Sequence, residues 1–447
     1  MPFVPHSDEE TREMLSTVGV KSLDDLFEYI PKDMRPKQFA LPEGMTELGT
    51  LQRLQGMAGA NSTVEMSFLG AGFYDHFIPA AVDAMVSRGE FLTAYTPYQP
   101  EAAQGTLQAI FEYQTAICNL MEMDVANASV YDGGSAIFES CMMAVRATRR
   151  ERIVIDAAVN PLYRRMLHTL TDNLKLDIVE INCDAGLPVK EQIIAAIDDS
   201  TAAVVLQNPT FFGNVCDYND VFAAAKAKGA LSILSVNPVL QAVLKTPREM
   251  GADIAVADGQ SIGQPLNFGG PYLGVMACTK ELVRQIPGRI VGRTTDLEGK
   301  TGYVLTLQAR EQHIRRAKAT SNICSNQALC ALRALIHLCL LGPDGLAAAA
   351  ERGMELARYA AEKLSGLPQV TMLNAAPFGN EFALRLPGNA AQTVSKLLGK
   401  GILPGALPGK WYPGMDSILL VACTEKNSEE QIDALAAALG DALGGKI

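Results

Sequence analysis

A regular alternation of apolar strand-like runs with helix-like segments, from residue 152 to residue 277, constrains the fold of this chain more than any other feature of its sequence. The runs are predominantly apolar, and AAVVL at 202–206 is apolar along its whole length. Strands of that kind are buried on both faces, which is typical of a parallel sheet covered by helices. We therefore predict a doubly wound α/β domain with a mostly parallel sheet. The predicted strands are 152–155, 176–181, 202–206, 231–235, 253–257 and 272–277, and the helices between them are 161–171, 189–197 and 221–228.

The loops that follow the strands are the first place to look for a binding site. In sheets of this type, ligands bind beyond the carboxyl ends of the strands. We therefore expect four loops to converge there, at 132–135, 208–213, 235–238 and 258–263.

The two ends of the chain have different patterns from the middle. Residues 1–60 read as short helices without strands, which predicts a helical arm, and residues 61–330 hold the large α/β domain. Residues 331–447 follow the order strand, strand, helix, strand, helix, which predicts a small α+β domain. The arm is too short to bury its own leucines. We expect it to clasp another subunit, or else to pack on its own large domain.

Charge and hydropathy exclude several classes of partner. Lysine and arginine number 38 against 49 aspartates and glutamates, a net charge of −11 that repels a polyanion such as nucleic acid. The best candidate for a membrane span, 329–341, is short and interrupted by Arg333 and His337. The acidic start of the chain lacks the apolar core of a signal peptide. We therefore expect a cytoplasmic protein that binds neither nucleic acid nor a membrane.

The cysteines do not indicate a metal site. There are nine of them, and none forms a Cys-x-x-Cys pair. This odd, scattered set fits buried and reduced thiols better than a disulfide framework or a zinc site. We predict no metal site of any kind.

A glycine-rich loop joins a predicted strand to a predicted helix at 132–135. Its residues Gly133, Gly134 and Ser135 offer backbone N–H groups at a helix N-terminus, where an anion such as phosphate binds favourably. The alternative is a tight turn in which Ser135 caps the helix. Neither a Walker loop nor a dinucleotide-binding fingerprint occurs in the sequence, which disfavours a nucleoside triphosphatase or a nicotinamide enzyme.

Two further segments carry unusual sets of side chains. The segment FLTAYTPYQPE at 91–101 has three aromatic rings and two prolines that fix its backbone, which is typical of a rigid ligand-facing loop or of a packed surface turn. The segment REQHIRRAKATSNIC at 310–324 is rich in cationic side chains and ends in polar residues before an apolar helix. It predicts either a solvated helix face or a site for an anion.

Together, FLTAYTPYQPEAAQG at 91–105 and REQHIRRAKATSNIC at 310–324 resemble the P-protein of the glycine cleavage system, the decarboxylating glycine dehydrogenase. The length matches the α subunit of the split form of that enzyme. The resemblance implies a type I fold of the pyridoxal 5'-phosphate (PLP) enzymes, with a large domain and a small C-terminal domain. It also implies the reaction of glycine with an oxidised lipoyl H-protein, which gives CO2 and an aminomethyl-lipoyl H-protein.

The sequence departs from that family at the two positions that define a PLP site. The resemblance implies a Schiff-base lysine within 258–271, yet Ser261 stands in its place and no lysine occurs between Lys245 and Lys280. It also implies an aspartate at the end of the strand 231–235, where the sequence has Ser235. We therefore predict no catalytic residue on this chain and a PLP bound covalently by a partner β subunit, with which it forms an α2β2 complex.

In such a complex the chain completes a site at the subunit interface. By the resemblance, Tyr95 and Tyr98 face the substrate and Thr320 faces the phosphate, although Tyr95 as a buried packing residue and Thr320 as a helix cap stay open alternatives. Two other functions also stay open. One is an autonomous PLP-dependent aminotransferase or decarboxylase that uses another lysine, such as Lys280 or Lys300. The other is a degenerate subunit with a purely structural role.

Overall fold

A computed structural model describes residues 6–444 of the chain, except residues 37, 39, 62 and 268. The chain divides after residue 62 into two units. The first unit contains helices α1 (Asp8–Val18) and α2 (Glu47–Gly59), with short 3-10 turns between them. Ser7 caps α1 through a capping box, in which the Ser7 N–H donates to Glu10 Oε2 over 2.7 Å.

The second unit is built on the predicted α/β pattern. Its strands are β1 (Met66–Ser67), β2 (Val125–Ala126), β3 (Arg152–Asp156), β4 (Asp177–Ile181), β5 (Thr201–Asn208), β6 (Leu231–Val236), β7 (Ile254–Asp258), β8 (Gly274–Cys278), β9 (Ile290–Thr295), β10 (Thr301–Thr306), β11 (Thr371–Met372), β12 (Glu381–Arg385), β13 (Ile402–Leu403) and β14 (Ile418–Ala422). Its helices are α3 (Ala80–Val86), α4 (Gly89–Leu92), α5 (Gln104–Met121), α6 (Gly133–Thr148), α7 (Pro161–Thr171), α8 (Lys190–Ala196), α9 (Asn219–Ala227), α10 (Gln312–Arg315), α11 (Ala328–Ser365), α12 (Ala390–Leu398) and α13 (Glu429–Ala442).

The central sheet has the strand order β2-β8-β7-β6-β5-β3-β4. Strands β3 to β7 pair in parallel, and β8 and β2 are antiparallel at one edge. Alternate residues of each strand enter separate cores: Val204 packs with α5, α8 and α9, whereas Val205 packs with α6 and α7. The prediction of a mostly parallel sheet covered on both faces is confirmed.

The apolar run at 125–131 predicts a strand, but the observed strand is much shorter. Only Val125–Ala126 forms a strand, with one isolated bridge further on at Val130. The side chain of Asn127 accepts from the Ser129 N–H over 3.1 Å, and Ser129 has φ 124°. This local turn interrupts the strand, and a run of apolar residues does not reveal it.

The C-terminal part forms a second, smaller layer of structure. Strands β11, β12 and β14 form an antiparallel sheet, and α12, α13 and the second half of α11 enclose a core with it. Helix α11 is long and apolar enough to cross a membrane, but it bends at Gly342 and buries Ala334 and Leu356 inside the fold. The predicted boundary at 330/331 falls inside α11, and the proposed division into domains stays a prediction.

A close backbone contact joins the large sheet to the small one at Gly213. The Gly379 N–H donates to the carbonyl of Gly213 over 3.0 Å, and Gly213 has φ 86°. A Cβ at this position would lie 1.9 Å from the carbonyl oxygen of Glu381. Both the left-handed backbone and the lack of space therefore require glycine here.

We predict that Gly213→Ala destabilises the chain far more than Gly251→Ala. Gly251 has nearly the same backbone angle, φ 85°, but no atom within 4 Å of an added Cβ. The control should lose about 1–2 kcal/mol from the left-handed conformation alone, and Gly213→Ala should lose at least about 4 kcal/mol or yield no folded protein. Denaturant unfolding of both variants measures the difference. Equal losses would contradict this account.

The same junction buries the side chain of Glu381. Its Oε1 accepts from the Ala71 N–H over 2.7 Å, and its Oε2 accepts from the Tyr74 hydroxyl over 2.8 Å. Burial raises the pKa of this carboxyl from 4.5 to about 7, although both hydrogen bonds act in the opposite direction. The folded chain therefore keeps a proton that the unfolded chain loses at a lower pH.

We predict that Glu381→Gln becomes more stable relative to the original chain as the pH rises from 5 to 8. The raised pKa stabilises the fold below the unfolded value of 4.5, and that contribution is lost as the pH approaches about 7. Glutamine carries no charge: its Oε1 can still accept from the Ala71 N–H, and its NH2 group can donate to the Tyr74 hydroxyl oxygen. The gain should be on the order of 1–3 kcal/mol at pH 8, measured by denaturant unfolding across the pH range. The exposed Glu351→Gln serves as the control, and a difference that does not vary with pH would contradict the prediction.

Candidate functional site

Three of the four predicted loops, 208–213, 235–238 and 258–263, line one cavity at the carboxyl ends of the central strands. The fourth, 132–135, does not line the cavity but contacts Asp258 through the Gly133 N–H. The cavity has a volume of about 30 Å³, which holds about two water molecules. Its lining residues are Gly72, Tyr74, Asn160, Tyr163, Gln207, Pro209, Thr210, Gly213, Ser235, Val236, Asn237, Pro238, Asp258, Ser261, Asn380 and Glu381.

Ser235 and Ser261 both lie at this cavity. Ser235 belongs to the last part of β6, and Ser261 belongs to a 3-10 turn directly after β7. Both side chains are buried, and the hydroxyl of Ser261 has no hydrogen-bond partner within the described part of the chain. No lysine or arginine lines the cavity.

The N-terminus of α6 is closed by carboxylates of the chain itself. Asp132, and not Ser135, caps this helix: its Oδ1 accepts from the Ser135 N–H over 2.7 Å. Asp258, at the end of β7, accepts from the Gly133 N–H over 3.0 Å and from the Gln260 N–H over 2.9 Å. The loop therefore binds carboxyl groups of the chain itself, and the alternative in which Ser135 caps the helix is wrong.

Burial raises the pKa of Asp258 to about 7, and the neighbouring charge of Asp132 acts in the same direction. The two hydrogen bonds and the positive end of α6 counteract this effect. A Cβ on Gly133 would lie 2.7 Å from the Tyr163 hydroxyl, and one on Gly134 would lie 2.7 Å from Met166 Sδ. The glycines therefore allow α7 to pack closely over the loop. The sequence did not identify Asp258 as a site residue, although its position directly after the predicted buried strand 253–257 is evident in the sequence.

A second group of residues lies on the surface, where the segments 91–101 and 310–327 meet. Tyr95 is 78% exposed, and its hydroxyl oxygen accepts from the Ser325 hydroxyl over 3.1 Å. The ring of Tyr98 lies 5.2 Å from that of His313, and its hydroxyl lies 4.0 Å from Cys324 Sγ. We call these two segments together the tyrosine cluster. The alternative of Tyr95 as a buried packing residue is wrong.

Within the tyrosine cluster, Thr320 is half-buried. Its N–H donates to the carbonyl of Arg310 over 2.9 Å. Helix α11 begins at Ala328 after Gln327, so the alternative of Thr320 as a helix cap is wrong. The next residue, Ser321, donates to the buried carboxyl of Glu139 over 2.7 Å, which fixes the loop against α6.

The cysteines are free thiols, and the prediction of burial is wrong for two of them. Cys141, Cys278, Cys330 and Cys423 are buried, and Cys118, Cys183 and Cys216 are partly buried. Cys324 and Cys339 are exposed. Cys324 belongs to the tyrosine cluster, where the chain runs along the surface.

The cavity does not fit the PLP that the resemblance implies. No lysine lines it to form a Schiff base. The helix N–H group that could bind a phosphate is already bound to the Asp258 carboxyl, and a carboxylate at that distance repels a phosphate when it is ionised. The tyrosine cluster and Thr320 share no lining residue with this cavity.

Comparisons with known proteins agree with the fold. A crystal structure of glycine decarboxylase (P-protein) of the glycine cleavage system, in inhibitor-bound form, superposes with a TM-score of 0.93 at 42% identity and covers 99% of this chain and 100% of that chain. A glutamate decarboxylase of Lactobacillus brevis CGMCC 1306 superposes with a TM-score of 0.70 at 14% identity, over 92% of this chain and 96% of that chain. The expected fold of the PLP-dependent enzymes is therefore confirmed.

Sequence comparisons extend over the whole chain. A protein of Nitratidesulfovibrio vulgaris (strain DP4), named probable glycine dehydrogenase (decarboxylating) subunit 1, is 65% identical over 99% of this chain and 100% of its own length. A protein of the same name from Geotalea uraniireducens (strain Rf4) is 52% identical with the same coverage. The family model for the glycine cleavage system P-protein matches residues 1–439. This chain therefore belongs to the family of glycine cleavage system P-proteins.

Proposed function

We propose that this chain is the α subunit of a split, cytoplasmic glycine dehydrogenase (decarboxylating). The complete enzyme converts glycine and an oxidised lipoyl H-protein into CO2 and an aminomethyl-lipoyl H-protein. The PLP is bound covalently by the β subunit, and the two chains form an α2β2 complex. The names of the relatives, which specify a subunit 1 of this enzyme, support a partner subunit.

The observation that carries this proposal is the exposed tyrosine cluster. The two segments that resemble the P-protein lie far apart in the sequence, yet the Ser325 hydroxyl bonds to Tyr95 and the Tyr98 ring packs on His313. A surface that presents an accessible phenol beside cationic residues suits contact with the carboxylate group of a small substrate such as glycine. Its position outside the closed cavity supports a site that a second chain completes.

The closed cavity supports the other half of the proposal. Ser235 and Ser261 supply neither an amine nor a carboxylate, and Asp258 occupies the end of α6. A chain with this cavity depends on a partner for the cofactor. We assign Tyr95 and Tyr98 to the substrate side of the shared site and Thr320 to the phosphate side.

We predict that the purified chain with PLP and glycine does not exchange labelled bicarbonate into the carboxyl group of glycine, and that adding the β subunit and H-protein restores exchange. Without a lysine at Ser261 and an aspartate at Ser235, the chain cannot bind the cofactor in a reactive form. Radiolabel incorporation into glycine measures the exchange.

The control for this experiment addresses an autonomous PLP enzyme. Lys280 and Lys300 do not line the cavity, and Lys300 is exposed near the tip of the β9–β10 hairpin, where it pairs with Glu298. The chain alone with PLP should show no coloured Schiff base that borohydride bleaches. Exchange by the single chain, together with a bleachable absorbance, would favour an autonomous enzyme instead.

We predict that Tyr95→Phe and Thr320→Val each lower kcat/KM for glycine about tenfold or more in the complex, which corresponds to about 1.4 kcal/mol. Both changes remove one hydroxyl and keep the shape of the side chain, so light scattering should find the same assembly. Thr169→Val, an exposed position on α7, is the matched control. Normal activity in all three variants would favour a purely structural subunit.

A further inference from the structure

Arg289 is a buried cation at the base of the tyrosine cluster. It directly precedes β9 and is 4% exposed. Its NH1 group donates to Asn326 Oδ1 over 2.8 Å, and its NH2 group donates to the Cys324 carbonyl over 2.9 Å and to the Thr96 hydroxyl over 3.4 Å. One guanidinium group therefore joins the loop of Tyr95 and Tyr98 to the loop that leads into α11.

The guanidinium itself is held in place. The Ala128 N–H donates to the Arg289 carbonyl over 2.8 Å, which anchors its backbone next to β2. Asn326 in turn donates to the Ala128 carbonyl over 2.9 Å and to the Ser129 hydroxyl over 3.2 Å. The Arg289 Cζ lies 5.9 Å from the centre of the Tyr98 ring. Arg289 thus fixes the position of both loops relative to the central sheet.

The acceptors of Arg289 are all neutral. Within the residues that the structure describes, no carboxylate lies within 4.0 Å of its guanidinium, and its Nε has no partner. A buried cation without a counter-ion costs free energy compared with a neutral side chain. The planar guanidinium of arginine binds the two loops at fixed angles, and the ammonium of lysine cannot reproduce this geometry. The free-energy cost of burying the cation is therefore offset where the position of the two loops matters.

We propose that Arg289 is a positioning residue for the shared active site: its guanidinium holds the loop of Tyr95 and Tyr98 and the segment 320–326 in the arrangement that binds glycine. This inference rests on the proposed function, because it assigns these loops to the substrate. Arg289 does not touch the substrate itself. It acts through Thr96, Cys324 and Asn326.

The test compares Arg289→Lys, which keeps the charge but loses the fork, with Arg289→Gln. In the complex with the β subunit, both variants should raise the KM for glycine about tenfold while light scattering shows normal assembly. A merely structural defect lowers the amount of active complex and leaves KM unchanged. Arg248→Lys, an exposed arginine that pairs with Asp124, is the matched control and should behave like the original chain.

Hydrogen exchange of the free chain gives a second readout that does not depend on activity. Arg289→Lys should increase exchange in both 93–98 and 320–326 and leave the remote strand β14 unchanged. If KM stays within twofold of the original value, or if either loop keeps its protection, the proposal is overturned. An original complex without exchange activity would instead refute the proposed function, and the hydrogen-exchange result would still decide whether Arg289 holds the loops.

Discussion

The hydrogen bond from the Gly133 N–H to the buried carboxyl of Asp258 joins the loop before α6 to the end of β7, where the cavity lies. That loop is the anion site predicted from the sequence, and the resemblance implies a Schiff-base lysine directly after β7. With Asp258 in place, the positive end of α6 is matched by an internal anion. The large domain thus keeps the geometry of a cofactor-binding fold while its own residues fill the space.

Because Asp258 is bound at the end of α6, the chain keeps the architecture of the fold although its cavity has no lysine or arginine. The parallel sheet still brings its loops to one edge, and the small sheet still packs over that edge through Gly213 and Glu381. The residues that resemble a P-protein most closely lie elsewhere, in the tyrosine cluster. That arrangement suits a subunit that contributes one wall of a site and leaves the cofactor to its partner.

The sequence predicted the regular parts of the fold because burial on two faces leaves a strong pattern. Helix Pro161–Thr171 has the predicted ends. Strand β2 was too long in the prediction because the turn at Asn127 depends on one side-chain hydrogen bond.

The site was harder to predict than the fold. The absence of a lysine near Ser261 could be read from the sequence alone. The contact of Asp258 with Gly133 spans 125 positions, and the role of Arg289 depends on three loops meeting. Such contacts leave no local pattern, since each residue could equally occupy an ordinary turn.

The closed end of α6 has a consequence for how this chain exists in the cell. A PLP enzyme gains stability from its cofactor in proportion to the logarithm of the cofactor concentration, because the ligand binds only the folded state. Under the proposed function this chain by itself lacks that dependence, because Asp258 occupies the end of α6 and the PLP is bound by the partner. The cofactor then stabilises this chain only indirectly, through its complex with the partner.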